Sequence, residues 1–177
     1  FDKALILGAA AAEAKQWDAV KTQIDLAKKS TRQGNSLFNE MDLLNLELTW
    51  WMEQAPQTAL AGLNKLLAAE KAQQPPRQDY LAAIYYQRGL FYADKLHDAE
   101  KGVADLRIYN RLRPNSAEGM NALGYTLLSQ PQHLNEAFGL IQAAYKLQPK
   151  SAAINDSLGW AYFLKGDARA ALPLLQF

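Results

Sequence analysis

The 177-residue chain contains no cysteine. That excludes disulfides, thiolate nucleophiles and cysteine-bound metals. It leaves the compartment open, because reducing and oxidising compartments both hold cysteine-free proteins. An excess of one charge is also missing: 19 Lys and Arg stand against 18 Asp and Glu, a formal net charge of +1. No basic run exceeds the pair Lys28-Lys29. A nucleic-acid binder needs a basic face to displace counterions, so nucleic acid is not an expected partner. No uncharged apolar run approaches the roughly 20 residues of a bilayer span. Direct membrane insertion of this segment is therefore not expected, and no signal peptide is visible. The only two histidines, His97 and His133, fall between helical segments and are too few for a metal site. Glycine-rich phosphate loops, HExxH, GxSxG and paired carboxylates are all missing. No catalytic residue, metal or cofactor is expected, and the chain does not read as an enzyme. Asn155-Asp156-Ser157 spells a glycosylation sequon, but it falls inside a helical segment and reads as accidental.

What is present is helical. Apolar residues make up 49% of the chain, and Ala, Leu, Gln, Glu and Lys, all good helix formers, dominate. Alternating strand patterns do not occur, and prolines and glycines punctuate segments of helical period. The pattern predicts ten helices, at 2–15, 17–30, 36–54, 56–73, 78–94, 96–112, 116–130, 133–147, 151–165 and 167–177. Pro56 suits a first helical turn, where its missing N–H is not needed. Ser116 and Ser151 suit N-caps, and Gly166-Asp167 reads as a helix stop followed by a helix start. Longer loops are expected at Thr31–Asn35 and Gln73–Gln78. The chain begins at Phe1 and ends at Leu174-Leu175-Gln176-Phe177 in what reads as mid-helix. It is expected to be a piece of a longer protein.

Self-comparison gives the strongest signal. Gly89, Gly124 and Gly159 recur at intervals of 35, the last two preceded by Leu123 and Leu158; Pro114 and Pro149 are also 35 apart. One repeat carries Leu123, Gly124, Leu127, Ala137, Ile141, Ala144 and Pro149. The next carries Leu158, Gly159, Tyr162, Gly166, Ala171 and Leu175. The preceding one carries Tyr85, Gly89, Tyr92, Gly102, Leu106, Tyr109 and Pro114. The N-terminal units are weaker: Leu7, Gly8, Ala11, Val20, Ile24 and Ala27, then Leu43, Leu46, Trp50, Ala59, Leu63 and Leu66. In the second of these Glu47 takes the place of the small glycine, which leaves two readings: a splayed hairpin with a long first helix that lets Glu47 reach solvent, or a local kink or specific polar contact. Gly8, Gly89, Gly124 and Gly159 are expected where paired helices cross closely, facing Ala59, Gly102, Ala137 and Ala171. Trp50, Tyr85, Tyr92 and Tyr162 are expected in the core.

A period of 34 to 35 with these residues resembles the tetratricopeptide (TPR) repeat superfamily. The resemblance implies an all-α fold: a right-handed superhelical solenoid of about five helix-turn-helix hairpins. The repeats would be approximately 1–30, 37–72, 79–114, 116–149 and 151–177, the last truncated, in a single array over 1–177. The stretches Asn121-Ala-Leu-Gly-Tyr-Thr-Leu, Asn135-Glu-Ala-Phe-Gly-Leu-Ile and Asn155-Asp-Ser-Leu-Gly-Trp-Ala-Tyr resemble the C-terminal region of proteobacterial outer-membrane TPR lipoproteins. That likeness implies a periplasmic adaptor, tethered to the outer membrane through another part of the protein. Without it, a cytoplasmic location stands equally.

Superfamily positions that line the concave groove carry over to Leu44, Asn45, Leu48 and Trp51, to Tyr86 and Leu90, to Asn121 and Tyr125, and to Asp156 and Trp160, with Met52, Asp94, Leu128 and Phe163 beside them. The function this implies is a scaffold or adaptor that binds a partner protein or extended peptide. The places that would hold a carboxylate-binding clamp carry Tyr86, Leu90, Asn121, Tyr125, Asp156 and Trp160, so recognition of an acidic tail is not expected. The alternative reading is a structural spacer or self-association module, built on the open apolar end at Leu172, Leu174, Leu175 and Phe177.

Overall fold

The computed structural model describes residues 1–30, 40–54 and 56–176. The loop expected at Thr31–Asn35, the first residues of the third expected helix and Phe177 lie outside the described residues. Ten α-helices and no strands occur among the described residues: α1 (Asp2–Glu13), α2 (Trp17–Lys29), α3 (Glu40–Gln54), α4 (Pro56–Lys71), α5 (Gln78–Leu90), α6 (Ala99–Leu112), α7 (Ala117–Leu127), α8 (Leu134–Leu147), α9 (Ala152–Leu164) and α10 (Ala168–Leu175). The fold class is the one the repeat implied. The chain divides into two compact units, Phe1–Ala69 and Glu70–Phe177.

In the second unit, α5 pairs with α6, α7 with α8 and α9 with α10, and successive hairpins stack through α6 on α7 and α8 on α9. The glycines explain the pairing. A Cβ on Gly89 would fall 2.8 Å from Leu106 Cγ and 3.3 Å from the Gly102 carbonyl oxygen. One on Gly124 would fall 2.6 Å from Ile141 Cγ1 and 3.0 Å from the Ala137 carbonyl oxygen. One on Gly159 would fall 2.7 Å from Leu175 Cγ and 3.2 Å from the Ala171 carbonyl oxygen. Each glycine thus lets a leucine or isoleucine of the paired helix lie on the backbone. A hairpin cannot cover its own apolar face, so stacking supplies the core: Val103, Leu106, Leu123, Leu127, Ile141 and Leu158 bury together across four helices.

The turns differ because the stretch between the paired small residues differs in length. Ala171 follows Gly159 by 12 positions, but Gly102 follows Gly89 and Ala137 follows Gly124 by 13. The third hairpin absorbs its extra residue as a π-helical turn, Phe91–Lys95, with Leu96 N–H bonded to the Phe91 carbonyl. The fourth absorbs it as a 3₁₀ turn, Pro131–His133. His97 takes a left-handed conformation at φ 53° and Gly166 at φ 84°, so α6 begins at Ala99 instead of the expected residue 96. Asp98, Ser116 and Asp167 cap the helices that follow, accepting from the N–H of Lys101, Gly119 and Ala170. Ser151 occupies the expected cap position without a side-chain bond.

Two ion pairs stiffen this unit. Arg88 on α5 holds Asp105 on α6 with two bonds, Nε–Oδ2 at 2.6 Å and Nη2–Oδ1 at 2.8 Å, and the Asp105 side chain is 6% exposed. Arg77 grips the buried Glu70 carboxylate, and the bonds from its guanidinium hold that carboxyl below its ordinary pKa of 4.5 against the opposing effect of burial.

In the first unit, α1 pairs with α2 and both pack on α3. Ala4, Leu5, Ala11, Val20, Ile24, Ala27 and Leu46 form its core, with Trp50 against them. Gly8 departs from the expected hairpin crossing: a Cβ there would meet Leu46 Cδ2 of α3 at 2.5 Å, ahead of any atom of α2. Glu47 takes the second of its two readings, since Lys28 Nζ of α2 donates to Glu47 Oε1 at 2.5 Å and the Glu47 side chain is 15% exposed. The α1–α2 turn places Lys15 at φ 55°.

Candidate functional site

The surface of the second unit has one groove built by first helices. Tyr86 and Leu90 on α5, Asn121 and Tyr125 on α7 and Asp156 on α9 line a single open cavity of about 340 Å³. Tyr86, Asn121 and Asp156 are spaced by 35, as are Leu90, Tyr125 and Trp160. The groove is therefore made of equivalent positions in three successive hairpins. Trp160 is one turn beyond Asp156 on the same face of α9, 42% exposed, its ring stacked on Phe163 at 5.2 Å. Tyr125 is 51% exposed.

Packing behind the groove fixes these groups. Tyr86 and Leu90 lean on the apolar core, and the Tyr86 ring meets Tyr109 with centroids 4.8 Å apart. Burial raises the Tyr86 phenol above its ordinary pKa of 10.0, and Tyr109, Glu118 and Asp94 push the same way. Tyr86 is thus a neutral hydroxyl at physiological pH. Asn121 presents a buried Oδ1 with no hydrogen-bond partner. Thr126 and Ser157, also on the wall, turn their hydroxyls back to the carbonyls of Ala122 and Ala153. Buried polar atoms are normally bonded, and Asn110 Oδ1 is left unbonded in the same way.

The expected residues of α3 in the first unit do not all behave as the repeat pattern implied. Asn45 is exposed. Leu44 and Leu48 are instead buried, Leu48 completely. Trp51 is half-buried and fills the approach of α3 to Gly62 of α4, where an added Cβ would strike its ring. The physical reason is that α3 carries apolar groups around most of its circumference, Leu43, Leu44, Leu46, Leu48, Trp50 and Trp51, and such a helix buries more than one face. Leu128, expected beside the groove, is likewise in the core. Of the expected core aromatics, Tyr85 is buried and Tyr162 packs against the core, while Trp50 donates its indole N–H to the Trp17 carbonyl at 2.9 Å.

The groove also contains groups that sequence reasoning passed over: Glu118, Ser151, Ala153, Ile154 and Ser157. Glu118 is the nearest to a readable signal, one turn before Asn121 on the same helix face. The sequon is answered too: Asn155 is 2% exposed and its Nδ2 donates to the carbonyls of Pro149 and Ser151, both at 2.9 Å. His133 lies at the 3₁₀ turn with Nδ1 3.2 Å from Glu136 Oε2. Among the described residues, no group of three or more His, Asp or Glu is placed to hold a metal ion, and no helix is long and apolar enough to cross a membrane.

Paired helices, close glycine crossings and a period of 35 define a tetratricopeptide-type helical-repeat fold. No family model matches the chain. Over 83 residues, 47% of its length, it is 39% identical to the TPR repeat-containing protein PA4667 of Pseudomonas aeruginosa, and it spans 14% of that protein. It is similar in fold to solved structures of MamA. A crystal structure of MamA shows 19% identity with a TM-score of 0.62 over 96% of this chain and 91% of MamA. MamA AMB-1 shows 17% identity with a TM-score of 0.63 over the same 96% and 91%.

Proposed function

We propose that the chain is a protein-binding adaptor segment whose site is the groove of α5, α7 and α9, and that it holds an extended stretch of a partner protein. The observation that carries this reading is the open groove that Tyr86, Leu90, Asn121, Tyr125 and Asp156 line together, with the exposed ring of Tyr125 in it and that of Trp160 one turn beyond Asp156. An extended peptide offers backbone N–H groups at regular intervals, and an asparagine amide can both accept from and donate to such a backbone. Tyr125 and Trp160 supply large, rigid contact area at small side-chain entropy cost, the usual composition of interface hot spots. A groove of this kind needs no chemistry of its own. Affinity capture from cell extract with the wild-type chain and with Tyr125→Ala/Trp160→Ala tests it. A partner recovered by the wild type should be lost or strongly depleted with the double variant; equal recovery sinks the groove as the site.

A second reading, self-association, rests on the end of the last hairpin. Leu172 is 58% exposed, Leu175 44% and Leu164 39%. Light scattering over a concentration series decides it, because a strict monomer at all concentrations removes this reading.

A further inference from the structure

The groove carries charge of one sign. Asp94 at the π-helical turn, Glu118 on α7 and Asp156 on α9 all line it, and no Lys, Arg or His does. All three are exposed, and none is paired with a cation among the described residues. Elsewhere in this unit carboxylates do find cations, as Asp105 finds Arg88, Asp98 finds Lys101 and Glu136 finds Arg107. The formal charge of the whole chain is +1, so the negative groove is a local arrangement and not a property of the overall composition. The raised pKa of Tyr86, to which Glu118 and Asp94 contribute, is consistent with the same field. The three carboxylates are not gathered closely enough to form a metal site. They share a wall that also carries Tyr86, Leu90 and Tyr125.

We propose that this groove selects a cationic segment of its protein partner, with an arginine or lysine side chain held among Asp94, Glu118 and Asp156 beside the ring of Tyr125. The inference rests on the groove reading above and adds the chemistry of the occupant. A guanidinium satisfies both halves of the wall, because it pairs with carboxylates through its fork of donors and lies flat on aromatic rings. The carboxylates set selectivity and the rate of encounter, while the aromatics and the asparagine supply contact. Nucleic acids and acidic peptides are repelled by the same field.

Panning a random peptide library on the folded chain, then measuring the selected peptides by fluorescence polarisation, tests this. Selected peptides should be enriched in Arg and Lys over the unselected library, and their affinity should fall as salt is raised. The triple variant Asp94→Asn/Glu118→Gln/Asp156→Asn keeps side-chain shape at exposed positions and removes only charge. It should weaken binding by roughly tenfold or more, the scale of a lost charge-assisted hydrogen bond, with unchanged circular dichroism. Neutral or acidic binders that need Tyr125 but ignore the triple substitution would overturn the cation inference and leave the groove standing. Binders indifferent to Tyr125→Ala and Trp160→Ala would overturn the groove reading and this inference with it, as would a selection that yields no binder. Light scattering of the wild type and the triple variant reads the other occupant: a dimer lost with the carboxylates would assign the cation to a second copy of this chain and overturn the proposal.

Discussion

The two units solve the same packing problem with different contacts. In the second, every hairpin brings a glycine of its first helix against a leucine or isoleucine of its second, at Gly89, Gly124 and Gly159. In the first, Gly8 spends its close approach on Leu46 of the next hairpin, and the α3 position that should hold a small residue holds Glu47. Their ion pairs diverge in the same way. Arg88–Asp105 is bidentate and buried, and it joins the two helices of one hairpin. Lys28–Glu47 is a single contact with a 46% exposed lysine, and it joins neighbouring hairpins. A repeat fixes a helix crossing only where the small residue that permits it is present. Where that residue is replaced, the same architecture is held by contacts that the repeat does not describe.

The largest expected difference between the units lies in those charges. Asp105→Ala takes away the buried carboxylate that Arg88 holds with two bonds, and breaking one side of a buried pair costs about 3–5 kcal/mol. Repeat stacks need not unfold in one step, so native-state hydrogen exchange is the suitable readout. Protection of α5 and α6 should collapse while α1 and α2 keep theirs. Equal loss in both units would show that the buried pair is not local to its hairpin. Gly124→Leu comes next: the side chain has nowhere to go between Ile141 and the Ala137 carbonyl, and overpacking of this kind costs about 1–3 kcal/mol. Gly139→Ala is the control, since a Cβ there meets nothing within 4 Å. An unchanged melting temperature for Gly124→Leu would contradict the close crossing.

Glu47→Gln probes the first unit and should cost less. With a half-exposed lysine as partner, the pair contributes about 0.2–1 kcal/mol, screened by salt. Stability of the wild type and the variant should converge as salt is raised. A large, salt-independent loss would mean that Glu47 has a burial role beyond the Lys28 contact.

How much of this was readable follows from the same contrast. The interval of 35 exposed the three C-terminal hairpins and their crossings, because glycine has no substitute at a close helix approach and its spacing survives in the sequence; the groove residues came only from superfamily positions carried over. In α3 the structure buries Leu44 and Leu48 and leaves Trp51 half-buried. Apolar residues surround that helix, and periodicity cannot rank several buried faces. The extra residue in the third and fourth hairpins was countable, yet the count alone does not decide between a π-helical turn at Phe91–Lys95 and a 3₁₀ turn at Pro131–His133. Pro131 favours the second, since proline fits a first helical turn. Nothing local marks the first. The acidic wall was hidden for another reason: Asp94, Glu118 and Asp156 come from three separate segments, and a near-zero net charge conceals any local excess.

The smallest effect tests what the units share. Each has a helix–helix turn with a left-handed residue just before the next N-cap position: Lys15 before Gln16, His97 before Asp98, and Gly166 before Asp167. Only the last is glycine. A Cβ in that conformation costs roughly 1–2 kcal/mol, and glycine gives back roughly 0.5–1 kcal/mol through the freedom of the unfolded chain. Lys15→Gly and His97→Gly should therefore each stabilise by about 0.5 kcal/mol, and Gly166→Ala should destabilise by about the same amount. The gains should be alike despite the different contacts around them, because the strain belongs to the backbone of the turn. If His97→Gly stabilised and Lys15→Gly did not, the equivalence of the turns would be lost, and the side chain of Lys15 would have to be contributing a contact of its own to the first hairpin. Equal gains would set the turn apart from the crossing: the one device that both units keep, while the crossing is what they have let diverge.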